Sequence, residues 1–211
     1  MNFHAFFLSI ACGEKMKHII SIIILSLVLF SCAKEESDDS ATTELEGTWV
    51  TSCNVYSDSL YRKLTTVVSG TNFTVNYEYF SDSSCTTAAS KWVDTQTSLS
   101  IGDAMVFSTY GASGGSGHQF TVYHNSTTAE WQNASDVSWA NTNSYCGETD
   151  WELNVAQDVS GKTCGSSTEW SSGITIYGLY ILDGNKFMPS YDEDSYPSSV
   201  SSADSNTFIK Q

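Results

Sequence analysis

Apolar and polar residues alternate along most of this chain at the two-residue period of a β-strand. The clearest stretch is Asn72 to Phe80, where Phe73, Val75, Tyr77 and Tyr79 alternate with Thr74, Asn76 and Glu78. Such alternation predicts a strand with one face buried and one face wet. Val50 to Cys53, Lys63 to Val68 and Gln119 to Tyr123 repeat the pattern over shorter lengths, and Trp151, Leu153 and Val155 alternate with Glu152 and Asn154. Ile174 to Leu182 is apolar at both sets of positions and predicts a strand covered on both faces. Asp183-Gly184 follows at once, a hairpin signal into Lys186 to Met188, while Ser69-Gly70-Thr71 and Asp82-Ser83-Ser84 mark further turns. Thr207 to Lys210 predicts a short closing strand. No stretch after residue 31 shows a helical period with caps. About eight to ten short strands separated by turns predict an all-β antiparallel barrel, with an open half-barrel or a β-sandwich as the alternative.

The N-terminal region breaks this pattern. Ile19 to Phe30 is an apolar run interrupted by Ser21 and Ser26, preceded by Lys15, Lys17 and His18 and followed by Ser31 and Cys32. Basic residues, a short apolar segment and a small residue before a cut describe a secretory signal peptide. Spanning a bilayer takes roughly twenty residues, more than this run supplies. Leu29-Phe30-Ser31-Cys32 resembles the lipobox of bacterial lipoproteins. That resemblance implies that residues 1–31 are removed and that Cys32 carries lipid, holding the protein on a membrane of the cell envelope. Ala33, rather than Asp, after the lipid site implies the outer membrane. Met16 is the expected start, because Met16-Lys17-His18 opens a leader of ordinary length. Residues 32–44, including the acidic run Ala33 to Thr43, read as a tether, and 45–211 as one β-barrel domain.

Charge and cysteine content narrow the picture further. Without the leader the chain has 23 acidic and 7 basic residues, against 24 and 9 in full. A surface so acidic repels nucleic acid and anionic head groups, so nucleic acid is excluded as a partner and the lipid must supply the membrane contact. Of the six cysteines, Cys12 precedes the cut and Cys32 is the lipid site. Cys53, Cys85, Cys146 and Cys164 remain in an exported chain, and four cysteines allow three pairings. Cys53–Cys85 and Cys146–Cys164 are favoured because each joins neighbouring segments. A zinc site is the competing reading, but no C-x-x-C occurs and only His118 and His124 follow the leader.

Leu45-Glu46-Gly47-Thr48-Trp49 opens the domain, and its Gly47-x-Trp49 resembles the G-x-W of lipocalin-like (calycin) barrels. The wider order resembles small bacterial lipocalin-like lipoproteins: Trp49, then Cys53, a hairpin, and an aromatic strand with Tyr79 and Phe80 leading to a turn at Asp82 and Cys85. The resemblance covers about residues 45 to 88, with a weaker echo at Asp183 to Phe187. It implies a barrel closed at one end by Trp49 and a small apolar or amphipathic ligand held inside. Lipocalins carry a later arginine packed over that tryptophan. Here the single arginine is Arg62, so the position is missing or replaced.

Candidate chemistry is sparse. Gly111-Ala112-Ser113-Gly114-Gly115 fits G-x-S-x-G, but lies in a glycine-rich run with no helix signal after it, and reads as a hairpin loop. Tyr191-Asp192-Glu193-Asp194 is the densest acidic cluster, yet lacks the spaced ligands of a calcium loop and reads as a solvated turn. His118 and His124 are expected at the surface. No enzyme activity, metal or cofactor is expected. The richest region runs from Trp131 to Trp151, where Trp131, Trp139, Tyr145 and Trp151 are interleaved with Gln132, Asn133, Asn141 and Asn143. Flat aromatic faces beside amides bind sugars and other polar ligands. The same aromatics equally fill cores. A surface interaction or carbohydrate-binding module is therefore the alternative to the barrel ligand.

Overall fold

The computed structural model describes residues 43–107 and 115–211. The leader, Cys32, most of the tether and Gly111 to Gly114 of the glycine-rich loop lie outside the described residues. The strands are β1 (Gly47–Val50), β2 (Asn54–Ser57), β3 (Leu60–Ser69), β4 (Asn72–Phe80), β5 (Ala88–Phe107), β6 (Gly115–Trp131), β7 (Gln157–Asp158), β8 (Thr163–Cys164), β9 (Ser167–Thr168), β10 (Thr175–Asp183), β11 (Lys186–Asp192) and β12 (Phe208–Lys210). Among the described residues, one α-helix, α1 (Ala134–Thr142), lies between β6 and β7, followed by a 3-10 turn at Tyr145–Gly147.

Among the described residues, eight strands close into an antiparallel barrel in the order β1-β3-β4-β5-β6-β10-β11-β12. Closure is made by β1, which pairs with β3 (Trp49 opposite Thr66) and with β12 (Trp49 opposite Lys210). A strand paired on both edges leaves no open seam, which removes the half-barrel and the sandwich. This is the architecture that the resemblance to lipocalin-like barrels implies. β2 folds back on β3, β7 adds to β6, and β8–β9 form a small separate hairpin.

The alternation read from the sequence sets the lining. Phe73 and Val75 of β4, Leu64, Thr66 and Val68 of β3, and Phe120 and Val122 of β6 are buried inside. The end of the barrel nearest Trp49 is packed solid by Leu45, Trp49, Phe73, Phe120, Tyr180, Phe187 and Phe208. Burying each such side chain contributes roughly 1.5–3 kcal/mol. Trp49 Nε1 donates to the Leu45 carbonyl at 2.7 Å, satisfying the one polar atom the ring carries into the core. The segment before β1 crosses this end: Glu46 Oε2 accepts from Gly70 N–H at 2.9 Å in the β3–β4 turn, and Glu44 accepts from the Tyr180 hydroxyl on β10. Gly178 is required halfway along β10, because a Cβ there would stand 2.1 Å from Phe120 Cζ.

β10 is apolar on both faces for the reason expected. Its outer residues Leu179 and Ile181 are covered by Met188, Val200 and Met105. Three expectations fail. Val50 to Cys53 is not a strand: β1 stops at Val50, where the Thr51 hydroxyl accepts from Leu64 N–H at 2.9 Å and the chain turns into β2. Trp151 to Val155 forms only an isolated bridge between Leu153 and Trp131, and Leu153 and Val155 are 46% and 44% exposed, so its alternation marks no buried face. The third is α1. Asn133 caps it by accepting from Ser135 N–H at 2.9 Å, but only Ala140 of the helix is buried, so no apolar stripe announces it.

Candidate functional site

The end of the barrel opposite Trp49 is not filled. It is framed on one side by the β2–β3 hairpin and the turn after β4, and on the other by the long insertion 132–174 between β6 and β10. Each frame carries a disulfide. Cys53–Cys85 ties the β1–β2 corner to the β4–β5 turn, and Cys146–Cys164 crosses the insertion. These are the two pairings favoured from sequence proximity. All four cysteines among the described residues are in disulfides and so are not thiolates for zinc, and the bonds imply an oxidising, extracytoplasmic compartment.

The insertion has its own small core of Ala129, Ala140, Cys146, Trp151, Val159 and Cys164. Asn141 clamps Trp151 at both main-chain groups, accepting from its N–H at 2.7 Å and donating to its carbonyl at 3.0 Å. Trp151 Nε1 donates to the Tyr145 carbonyl at 3.2 Å, which fixes the loop that presents the Tyr145 ring. Across the mouth, Tyr56 packs edge-on against Tyr79 at 4.9 Å, with the Arg62 guanidinium 4.9 Å above the Tyr56 ring.

Between the two frames lies a cavity of about 500 Å³. Its walls are aromatic: Tyr56, Tyr79, Trp92, Trp131, Tyr145 and Trp170. Ser90 and the β8–β9 hairpin, with Glu169, add polar groups. Burial pushes the Tyr79 hydroxyl up to about 12, so this group stays neutral at any physiological pH.

The floor is polar, which the apolar closed end does not foreshadow. Asp94, 6% exposed, accepts a 2.6 Å hydrogen bond at Oδ1 from the Thr127 hydroxyl. With that proton committed, Thr127 Oγ1 faces His124 Nε2 at 3.2 Å as an acceptor. Tyr77 also reaches the Asp94 carboxyl. His124 is fully buried with Trp170 edge-on at 5.7 Å, and Gln96 lies beside it on β5. Burial pushes Asp94 above the usual carboxylate range and His124 below the usual imidazole range, while Asp94 partly restores the histidine. Glu169 is raised as well, by burial and then by Asp94. The expectation that His124 sits at the surface is therefore overturned: it follows Phe120 and Val122 on the inward face of β6. His118 is half-buried and stacks on Tyr180 at 5.9 Å.

The residues singled out from the sequence separate by place. Trp131 and Tyr145 line the cavity. Trp139 is 51% exposed and, with Asp136 and Ser59, borders an adjoining hollow of about 360 Å³ that shares Trp131 and Tyr145. Trp151 is 2% exposed and belongs to the core of the insertion. Gly47 and Trp49 are at the far end. Tyr191 turns inward against Phe120 and Trp170, and Asp192 accepts from Asp194 N–H at 2.8 Å to form a turn. Asp94, His124, Glu169 and Trp170 were not foreseen. The alternation of β6 could have found His124, whereas Glu169 and Trp170 sit in irregular chain that carries no period.

The polar floor does not have the order of a nucleophilic triad. There the base takes the nucleophile's proton and the acid orients the base. Here the hydroxyl stands between acid and imidazole, gives its proton to Asp94, and is 2% exposed. Comparison with known protein families and with curated proteins gives no match to this chain.

Proposed function

We propose that this protein binds a compact amphipathic ligand at the mouth of its barrel and does not transform it. The observation that carries this reading is the 500 Å³ cavity walled by six aromatic rings over a polar floor. Small-molecule sites are of this size, and aromatic walls beside polar groups that fix orientation suit an amphipathic ligand. Phe73, Phe120 and Tyr180 fill the closed end with buried side chains, which favours a compact ligand over a long acyl chain. The test is tryptophan fluorescence, since Trp92, Trp131 and Trp170 all face the cavity. Released small molecules identified by mass spectrometry, together with loss of the ligand-induced fluorescence change in Trp131→Ala, support the reading. An empty protein whose emission responds to no small molecule sinks it.

A glycan is the second reading, favoured by Trp139, whose exposed ring continues the aromatic wall outward. Glycan-array binding lost in Trp139→Ala favours it over the barrel ligand.

The protein is placed at the cell envelope, on the outer membrane, by lipid on Cys32. The lipobox resemblance and the extracytoplasmic disulfides support this placement. Labelling with a palmitate analogue that disappears in Cys32→Ala is the expected result; unchanged labelling overturns it.

A further inference from the structure

We infer that the ligand held at the mouth is an organic cation, an amine or quaternary ammonium on a compact apolar body; this rests on the binding function proposed above. The walls are aromatic side chains: Tyr56, Tyr79, Trp92, Trp131, Tyr145 and Trp170 line one space. Aromatic faces attract cations through the ring quadrupole, most strongly where water is excluded. This molecule already uses its rings so, with Arg62 over Tyr56 at the rim and Lys210 over Trp49 at the closed end.

The charges facing the cavity have one sign. Asp94 and Glu169 contribute carboxyls, and no lysine, arginine or histidine is among the lining residues. Among the described residues the ion pair formed is Lys162–Glu148, and no lysine or arginine pairs with either cavity carboxyl; His124, behind Thr127 from Asp94, is held toward its neutral form by burial. A buried carboxylate without a counter-charge is costly and is stabilised when one arrives. An uncharged sugar or alkyl ligand leaves that cost in place. An anion adds a third negative charge. A cation satisfies both carboxyls and the rings together.

The test uses the exported, purified protein and three probes of one shape: phenyltrimethylammonium, its uncharged isostere tert-butylbenzene, and the anion benzenesulfonate. Binding is read by tryptophan fluorescence and by calorimetry. The expected result is that the ammonium binds at least about tenfold tighter than the isostere, and benzenesulfonate weakest. In Glu169→Gln the ratio of ammonium to tert-butylbenzene affinity falls several-fold. Glu169 is half-buried on irregular chain, and Asp94→Asn, on the barrel floor, serves as the second variant and is expected to act the same way. Equal binding of the ammonium and the isostere overturns the cation and leaves the site standing. Failure of all three probes to bind overturns both.

Discussion

Lys210 Nζ lies 5.0 Å above the centre of the Trp49 ring, and the lysine stem runs 3.3 Å from where a Cβ on Gly47 would be. The closing strand thus places a cation over the tryptophan at the packed end of the barrel. Gly47 has φ +119°, a backbone conformation that side chains with a Cβ rarely adopt. Glycine is thus needed at Gly47 for its own backbone and for the lysine stem beside it. Lys210→Met keeps the stem and removes the charge, and should cost about 1 kcal/mol or less. Gly47→Ala forces strain and contact together and should cost roughly 1–3 kcal/mol. Urea midpoints at constant slope check both, and a larger loss in Lys210→Met than in Gly47→Ala would reverse the argument.

The buried Asp94–Thr127–His124 group predicts a specific dependence of stability on pH. Asp94 is raised in the fold, so above about pH 4 the unfolded chain releases this proton while the native one keeps it, and stability falls as pH rises through that window. His124 is lowered, so below about pH 6.5 the unfolded chain takes up a proton that the native one refuses, and stability falls as pH drops. The two slopes oppose each other. Asp94→Asn keeps an acceptor for Thr127 and removes the first slope. The variant should be more stable than the parent at pH 7, with the gain shrinking toward pH 4. Its loss of stability below about pH 6.5 should also be steeper, since Asp94 no longer favours the charged imidazole. Denaturation midpoints that track the parent at every pH would refute the assignment.

Much of the barrel was legible in the sequence because its strands are buried on one face or on two. Phe73 to Tyr79 alternates since one side of β4 faces the core, and Ile174 to Leu182 does not since the strap with Val200 covers the outer side of β10. The closing strand was legible too, although its role in locking β1 depends on pairing that no local pattern encodes. The candidate site was legible only in part. Trp131 and Tyr145 stand out by residue type, but Asp94 and Thr127 face each other across β5 and β6, 33 residues apart in the chain. Glu169 and Trp170 are brought in by the Cys146–Cys164 bond and the β8–β9 hairpin. Their side chains meet through tertiary closure, which leaves no mark in spacing.

The two disulfides should differ in what they protect. On the chain-entropy model the 32-residue separation of Cys53–Cys85 is worth about 4 kcal/mol and the 18-residue separation of Cys146–Cys164 about 3 kcal/mol. Yet Cys164 lines the cavity, and its bond anchors the hairpin leading to Glu169. The Cys146→Ser, Cys164→Ser double variant should keep the barrel's far-ultraviolet circular dichroism and lose most ligand response at the mouth. The corresponding change at Cys53 and Cys85 should cost more stability. Retained ligand response in the first variant would show that the insertion holds its shape without the bond.

The tryptophans of the insertion give the sharpest separation of packing from recognition. Trp151 is 2% exposed, packs edge-on against Trp131 at 6.1 Å, and is held at its main chain by Asn141 and at its indole by Tyr145. Trp151→Ala removes a buried indole and should cost roughly 3–5 kcal/mol. Trp139 is 51% exposed and meets Trp131 edge-on at 6.2 Å and the tilted Tyr145 ring at 5.4 Å, centre to centre. Trp139→Ala should cost about 1 kcal/mol or less in stability, because much of its ring is already in water. Thermal or urea unfolding measures the first quantity, and titration with the cavity probes measures binding. If Trp139→Ala leaves barrel-ligand affinity unchanged while Trp131→Ala abolishes it at similar stability, recognition is confined to the cavity at the mouth. If Trp139→Ala weakens binding as strongly as Trp131→Ala, the ligand extends over the rim into the adjoining hollow.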